Sequence, residues 1–287
     1  AAAANGAAEA LRAGITCVGD IGRKGSVGLT ALKESGLRGI VYQETDFSPD
    51  DRNADAAFRD LITKFEQLTR DADDRVAVGI SPHSPYTVSP RLFTLIAEFA
   101  GRSGCKLSIH AAESAAEEAL LFTGTGMFTE FFTRGGIEWN SPHCSPVEFL
   151  YRTSILDQRP LLAHCIRVSS DDIALIKNTG TAVAHCPRSN AKFGHGWAPL
   201  EQIADAGIPV GLGSDSVASN NVNDILAEGR FAALAARNRP ERQRFIQPKE
   251  ILRMATIGGA AAMGLDDRIG SLEPGKLADI AVLSLDS

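Results

Sequence analysis

Residues 161–186 read LLAHCIRVSSDDIALIKNTGTAVAHC. Two short apolar runs, residues 161–163 and 182–184, flank an amphipathic stretch at residues 170–178, and a histidine follows each run, His164 or His185. Aliphatic runs of this length predict strands covered on both faces, and the stretch between them predicts a helix. A strand, a helix and a second strand in this order indicate a right-handed parallel crossover.

The same unit recurs along most of the chain. Seven apolar runs predict strands, at residues 15–19, 37–42, 76–80, 106–109, 161–163, 182–184 and 210–213. The stretches between them predict helices at residues 50–69, 91–100, 170–178, 199–206 and 224–236. The first two helices are expected to start after Ser48-Pro49 and Ser89-Pro90, since proline fits the first helical turn. This alternation predicts an α/β fold with a parallel sheet, of the (β/α) barrel kind.

Two regions depart from this pattern. Residues 123–150 form a long connection, of a length that commonly shapes a binding site or forms a lid. After two short predicted helices, at residues 249–255 and 257–263, the chain ends in a turn and a predicted strand at residues 278–283. That strand does not continue the barrel pattern, so we divide the chain into a barrel domain, residues 1–265, and a C-terminal segment, residues 266–287.

The composition excludes several classes of protein. The chain has 287 residues, 44% hydrophobic and 22% charged, with a net charge of −6, which is typical of a folded domain with a large core. It has no basic stripe, no run of 18 apolar residues and no signal-peptide pattern, so we expect no nucleic-acid partner and no membrane partner. Five cysteines without a CxxC pair are typical of free thiols in a reducing compartment, which favours a cytoplasmic location.

Polar residues lie at or just past the carboxyl end of every predicted strand. They are Asp20, Glu44, His83, His110, His164, His185 and Asp215. In an α/β barrel these ends lie on one face, where active sites are built. A lone histidine at a strand end is usually structural, but several histidines together with Asp215 favour a metal site or a catalytic site.

Three of these candidates, and two histidines outside the set, have ordinary structural explanations. His185 could belong to a hydrogen-bonded turn, and Asp20 and Glu44 could cap helices. His143 and His195 are expected to be solvated loop residues.

Imidazole and carboxylate ligands suit a divalent ion such as zinc, with iron or manganese as alternatives, and zinc lowers the pKa of its bound water to about 7. Glu113, three residues after His110, is placed to carry a proton from that water to a leaving nitrogen. Asp215 could act both as ligand and as acceptor of the first proton.

Seven motifs resemble the amidohydrolase superfamily, in the branch of adenosine-derivative deaminases, guanine deaminases and triazine hydrolases. They occur in the family's order and are SPHSPYTVS (81–89), IHAAE (109–113), LLAHC (161–165), AHCPRSNAKFGHG (184–196), LGSDSVASNN (212–221), RMATIGGAAAMGL (253–265) and IGSLEPGKLADIAVL (269–283). The resemblance implies a (β/α)8 TIM barrel whose first strand is missing from this sequence. It also implies that residues 266–287 belong to a small β-sandwich.

The resemblance also assigns roles to single residues. It implies that His110 and Asp215 are metal ligands, Glu113 is the proton shuttle, and His164 holds the hydrolytic water or polarises the reacting bond. His83 and Ser219 would contact substrate. The roles of two further residues are less specific: Asn190 would brace the seventh loop, and Trp139 could stack on a planar base.

The sequence differs from the family in two respects. It lacks the His-x-His pair that the family carries on its first strand, so we expect this pair upstream of Ala1 in the complete protein. Arg167 stands where relatives often have a second histidine, a change that would affect substrate contacts more than hydrolysis.

The sequence therefore predicts a metal-dependent hydrolytic deaminase acting on an aminopurine nucleoside or another aminated heterocycle. Residues 124–150 resemble the subset of the family that includes aminodeoxyfutalosine deaminases, and this resemblance implies aminodeoxyfutalosine as a candidate substrate. Two alternatives remain open: a hydrolase with another leaving group, such as chloride or an amidine nitrogen, and a metal-free homologue used as a binding module. Barrels of this family often form homo-oligomers, but no interface can be assigned from the sequence.

Overall fold

A computed structural model describes residues 2–284. All seven predicted strands are present at or within a few residues of their predicted positions. They are β1 (Cys17–Gly22), β2 (Arg38–Glu44), β3 (Val76–Ser81), β4 (Ser108–Ala111), β5 (Leu161–His164), β6 (Ala182–His185) and β7 (Val210–Leu212).

The strands are all parallel and lie side by side in chain order. β1, β2 and β3 form one sheet, and β4 to β7 form another. A parallel bridge between Ile80 and Leu107 joins the two, and the Ile80 N–H donates to the Lys106 carbonyl at 2.9 Å. Within residues 2–284 no strand lies between β7 and β1. The α/β fold is confirmed, and its strand series is consistent with a TIM barrel that lacks one strand.

Helices follow the strands and cover the outside of the sheet. Those of the first half are α1 (Ala2–Arg12), α2 (Gly25–Ser35), α3 (Ala54–Asp71), α4 (Pro90–Ser103), α5 (Ala115–Phe122), α6 (Met127–Arg134) and α7 (Pro146–Arg152). Those of the second half are α8 (Ser170–Thr179), α9 (Pro187–Lys192), α10 (Leu200–Asp205), α11 (Val217–Asn220), α12 (Ile225–Asn238), α13 (Pro248–Ala255) and α14 (Ile257–Ala262).

The two predicted serine-proline helix starts differ in the structure. Ser89 caps α4, since its hydroxyl accepts the Leu92 N–H at 3.3 Å. Ser48 does not start a helix. Its N–H donates to the Thr87 carbonyl, so the chain remains extended there, and the helical region begins after Asp50. The helical region thus begins within one residue of its predicted start, but Asp50 caps it instead of Ser48, because the Asp50 carboxylate accepts the Arg52 N–H at 2.8 Å.

The two regions that depart from the barrel pattern also differ from expectation. The long connection contains two helices, α6 and α7, rather than irregular chain alone. The predicted strand at residues 278–283 is wrong, because the structure forms no strand there. A strand requires a hydrogen-bonded neighbour, and no described strand pairs with this segment. Asp279 instead forms an ion pair with Arg38 on β2 at 3.0 Å. The assignment of residues 266–287 to a β-sandwich stays a prediction, and residues 285–287 lie outside the described part.

All five cysteines are free. In the described part of the chain, no helix combines the length and the apolar character that crossing a membrane requires.

Candidate active site

Six of the seven polar residues lie at the carboxyl ends of the strands. Glu44, His164 and His185 are the last residues of β2, β5 and β6, and His110 is the third residue of β4. His83 and Asp215 follow β3 and β7 within a few residues.

Asp20 is the exception. β1 continues beyond it to Gly22, and its side chain points to α2 in the outer helical layer. Gly28 of α2 leaves the necessary space, since a Cβ atom there would lie 1.9 Å from Asp20 Oδ2. Asp20 therefore neither belongs to the strand-end cluster nor caps a helix.

Three side chains bring their donor atoms together on the β2–β4 side of the face. One ligand atom each from Glu44, His83 and His110 lies within 4.8 Å of the others. His83 Nε2 is 3.7 Å from Glu44 Oε1, and the two imidazole centroids are 4.9 Å apart. Two imidazoles and a carboxylate at this spacing match the donor set that divalent transition metals prefer.

Hydrogen bonds at Nδ1 orient both imidazoles. His110 Nδ1 donates to the His83 carbonyl at 3.0 Å. His83 Nδ1 lies 2.9 Å from Ser84 Oγ and 2.8 Å from Thr87 Oγ1. In both rings Nε2 is left for a ligand, the arrangement that metal-binding histidines commonly have.

Burial keeps these imidazoles neutral. Burial, as the largest cause, lowers the pKa of His83 together with the nearby His110 and Arg23, to about 3. Burial and the neighbouring His164 likewise lower the pKa of His110. A neutral imidazole is the metal-binding form, so at neutral pH no proton has to leave before a cation binds. The pKa of Glu44 is raised by burial, against the opposing effect of His110 and Arg23.

A second group centres on Glu113. Its Oε1 lies 3.7 Å from His164 Nε2 and 3.6 Å from His195 Nε2. The His110 and His164 rings are 5.6 Å apart, so this group adjoins the three-donor cluster. His195 is only partly exposed, with 26% of its side chain accessible, because the loop after α9 returns it to Glu113. The structure also leaves His143 exposed, with its Nδ1 donating to the Phe122 carbonyl.

The loop after β6 supports His164 and Asp215. His164 Nδ1 donates to Asn190 Oδ1 at 2.9 Å. Ser189 Oγ donates to Asp215 Oδ2 at 2.6 Å, and the Ser216 N–H donates to Asp215 Oδ1 at 2.6 Å. Asn190 thus supports His164, whereas it was expected to support the loop after the seventh strand. Its neighbour Ser189 supports that loop instead, through Asp215.

Asp215 is set up to carry a negative charge. Burial raises its pKa, but the hydrogen bonds from Ser189 and Ser216 outweigh burial, so the pKa lies below its usual range. Its carboxylate does not belong to the three-donor cluster of Glu44, His83 and His110. Its role as a metal ligand therefore stays a prediction.

Strained backbone is concentrated at these strand ends. Ala112, His164, Cys165 and Asp215 have φ angles of 53°, 75°, 47° and 58°. A side chain disfavours this left-handed region, and such outliers persist where the surrounding structure holds them, commonly at functional sites. Three of the four directly follow or end β4 and β5.

The predicted substrate contacts differ in their surroundings. Ser219 is buried in α11, and its hydroxyl lies 2.7 Å from Ser216 Oγ. Trp139 donates its indole N–H to the Leu120 carbonyl at 3.1 Å and packs against Phe132. Its ring therefore contributes to loop packing, and its contact with substrate stays a prediction.

A cavity of about 360 Å³ opens beside His195. Phe122, Arg167 and Trp197 contribute to its walls, and Arg167 is paired with Glu118 at 2.5 Å. Arg167, which replaces the second histidine of many relatives, therefore lies on the wall of a cavity next to the Glu113 group.

Comparisons with known proteins identify the family of the chain. The amidohydrolase family model matches residues 1–287. The chain belongs to the amidohydrolase family. This amidohydrolase chain is 32% identical over 286 residues to a 5-methylthioadenosine/S-adenosylhomocysteine deaminase from Natronomonas pharaonis, covering 98% of the chain and 61% of that protein. It is 30% identical over 279 residues to a 5'-deoxyadenosine deaminase from Methanothermobacter thermautotrophicus, covering 97% of the chain and 61% of that protein.

A solved structure supports the fold of this amidohydrolase. An adenosine deaminase from Xanthomonas campestris, with bound zinc, superposes with a TM-score of 0.80 at 29% identity. The match covers 96% of the present chain and 60% of that protein. The chain thus spans about three fifths of the length of the relatives it matches.

Proposed function

We propose that the full-length protein is a metal-dependent hydrolytic deaminase that releases ammonia from an aminopurine nucleoside. The observation that carries this proposal is the position of Glu113 Oε1 between His164 and His195, beside the Glu44–His83–His110 donor cluster. The relatives named as deaminases of adenosine derivatives support the same substrate class.

His110 would hold the cation together with Asp215, and Glu44 and His83 offer further donors beside His110. When bound, a divalent cation lowers the pKa of a coordinated water toward about 7. Zinc fits the imidazole and carboxylate donors present, as do iron and manganese.

The residues of this chain then have separate tasks. Glu113 takes a proton from the attacking water and gives it to the departing amine, so that ammonia leaves as a neutral molecule. His164 donates at Nδ1 to Asn190, so its Nε2 faces Glu113 and the reacting centre. Asp215 is kept ionised by its bonds from Ser189 and Ser216, so it would accept the first proton of the water and return it to the ring nitrogen, while the proton that Glu113 carries to the amine is the second.

We extend the proposal to the second half of the substrate. The cavity beside His195 offers room for a nucleoside substituent, and Arg167 and Trp197 present a charged and an aromatic group to it. Aminodeoxyfutalosine is our candidate substrate. A panel of adenosine, 5'-deoxyadenosine, methylthioadenosine, S-adenosylhomocysteine and aminodeoxyfutalosine, assayed for ammonia, identifies the preferred one by kcat/KM.

Glu113→Gln tests the mechanism. The amide keeps the size of the side chain but cannot transfer a proton, so we expect kcat to fall by about 10²–10⁴ while metal content and substrate binding are retained. Steady-state ammonia release and metal analysis of the full-length enzyme measure both.

Glu148→Gln is the matched control, because Glu148 is a half-exposed residue of α7 whose carboxylate pairs with Arg152. It should leave turnover unchanged. A Glu113→Gln enzyme with near-normal turnover on its preferred substrate would rule out the shuttle. Products lacking ammonia would favour a hydrolase with another leaving group, and absence of turnover and of bound metal would favour the binding module.

A further inference from the structure

Glu117 is a fully buried carboxylate beneath Glu113. It is the third residue of α5 and is 0% exposed. Ser114 caps this helix, since its hydroxyl accepts the Glu117 N–H at 3.2 Å. Among the described residues, no lysine, arginine or histidine side chain forms an ion pair with Glu117. A buried carboxylate without a cationic partner is costly, so its contacts need an explanation.

The Glu117 carboxylate binds backbone N–H groups outside the helix. Oε2 accepts the Glu113 N–H at 2.8 Å, and Oε1 accepts the Ala112 N–H at 3.2 Å. In a capping box, a glutamate at this position accepts the N–H of the capping residue itself, which here would be Ser114. Glu117 instead reaches one and two residues further back, into the turn that follows β4.

That turn is connected to the turn that follows β5. Ala112, at a φ of 53°, offers its carbonyl to the N–H groups of Ile166 and Arg167, each at 2.9 Å. His164 and Cys165, just before them, are the other strained residues of this pair of turns. Glu117 thus holds one side of a hydrogen-bonded unit that carries Glu113 on one turn and His164 on the other.

We propose that Glu117 is a positioning residue, which holds the strained β4 turn so that Glu113 faces His164. The inference rests on the proposed role of Glu113. Glu117 touches no reacting atom. It acts through the backbone of Ala112 and Glu113, and a displacement of about 1 Å in a catalytic group costs up to about 10²-fold in rate.

Glu117→Gln in the full-length holoenzyme is the central test. The amide has one accepting oxygen, and its NH₂ group would face the second backbone N–H, so one of the two bonds is lost. We expect kcat to fall by about 10–100-fold, with KM changed by no more than about twofold and metal content unchanged. Glu117→Asp keeps the carboxyl group but is one methylene shorter and cannot reach both N–H groups, so it should also stay slow.

Glu250→Gln is the matched control. Glu250 holds the equivalent third position of α13 and accepts the Gln247 N–H at 2.8 Å in a capping box far along the chain from Glu113. It should lower Tm without lowering kcat. A Glu117→Gln enzyme with kcat within about twofold of the parent, an equal loss in Glu250→Gln, or full activity in Glu117→Asp would overturn the inference.

Amide hydrogen exchange gives a second readout that is independent of activity. Replacing Glu117 should speed exchange at Ala112 and Glu113 selectively, whereas Glu250→Gln should affect only the start of α13. Unchanged exchange at the β4 turn would overturn the inference even if turnover fell. A parent enzyme that releases no ammonia would refute the proposed function, and the exchange data would still decide whether Glu117 holds the turn.

Discussion

The two halves of the candidate active site are built differently. On the β2–β4 side, donor atoms of Glu44, His83 and His110 converge within 4.8 Å of one another. On the β5–β7 side, His164 and Asp215 are instead each held by a polar neighbour, and both sit on left-handed backbone. Convergent donors suit the binding of a cation, whereas separately braced groups are each fixed in direction, which suits Asp215 as a further proposed ligand and His164 as a group that contacts the water. The comparison indicates that the β2–β4 side presents several donor atoms at one point, whereas each polar side chain on the β5–β7 side is oriented by its own hydrogen-bond partner.

The largest expected effect is on metal content and kcat, and it should differ between Asp215 and Glu44, the carboxylates of the two halves. Asp215→Asn should lower metal content and reduce kcat by roughly 10³-fold, because it removes a proposed ligand worth several kcal/mol. Glu44→Gln should have a smaller effect, since burial raises the pKa of Glu44 whereas hydrogen bonds keep Asp215 ionised. Metal analysis and ammonia release of both variants measure the difference.

His110→Asn serves as the reference, because His110 belongs to either ligand set, and it should lose the metal. The reverse order, with Glu44→Gln losing metal and Asp215→Asn retaining it, would place the cation wholly on the β2–β4 side.

An intermediate effect on kcat is expected from removing the hydrogen-bond partners that orient His164 and His83. Asn190 Oδ1 is the hydrogen-bond acceptor of His164 Nδ1, whereas His83 Nδ1 has both Ser84 and Thr87 within reach. Asn190→Ala should therefore reduce kcat by about 10–100-fold, the usual cost of losing a residue that orients such a group. Thr87→Val should cost less than about tenfold, because one hydroxyl remains. Steady-state kinetics, with Tm measured alongside, compare the two. Equal losses would show that His83 depends on its support as much as His164 does.

The smallest effect on turnover is expected for His185. Its protonation should instead affect the pH dependence of the free energy of unfolding. Burial and, to a smaller extent, the neighbouring His164 lower the pKa of His185 from an ordinary 6.5 to about 4. Between those values the unfolded chain binds a proton that the folded chain does not, so stability falls as the pH falls from 6.5 to 4. The contribution is fully present above pH 6.5, and its loss amounts to about 3 kcal/mol at most.

His185→Gln should remove this part of the pH dependence. Urea unfolding at several pH values between 7 and 4.5 would show a shallower decline in the free energy of unfolding than in the parent. His143→Gln is the control, since His143 is exposed. A parent and a His185→Gln variant with parallel pH profiles would contradict the expectation.

Several features of the fold and of the candidate site could be predicted from local sequence. Runs of aliphatic residues placed all seven strands, because a strand covered on both faces must be apolar along its length. The polar residues directly after those runs then marked the face of the site. Ser89-Pro90 placed the start of α4, because capping depends only on residues a few positions apart.

The tertiary structure decided which of those residues meet. Asp20 follows the same strand-end pattern as Glu44, yet β1 continues past it and turns its carboxylate toward Gly28 of α2. His195 lies in a loop without any strand pattern, and only the path of the chain after α9 places it 3.6 Å from Glu113. No local signal could have found either, because both depend on where a neighbouring element lies.

By itself, the sequence determined the order of strands and helices and the residue types available at the strand ends. Hydrophobic periodicity and capping act over a few residues, so they can be read locally. Only the tertiary structure decided that Asn190 supports His164, that Glu117 reaches the β4 turn, and that residues 278–283 form no strand. These features depend on backbone and side-chain partners brought together by the whole sheet, and a hydrogen bond forms only where its partner is within about 3 Å.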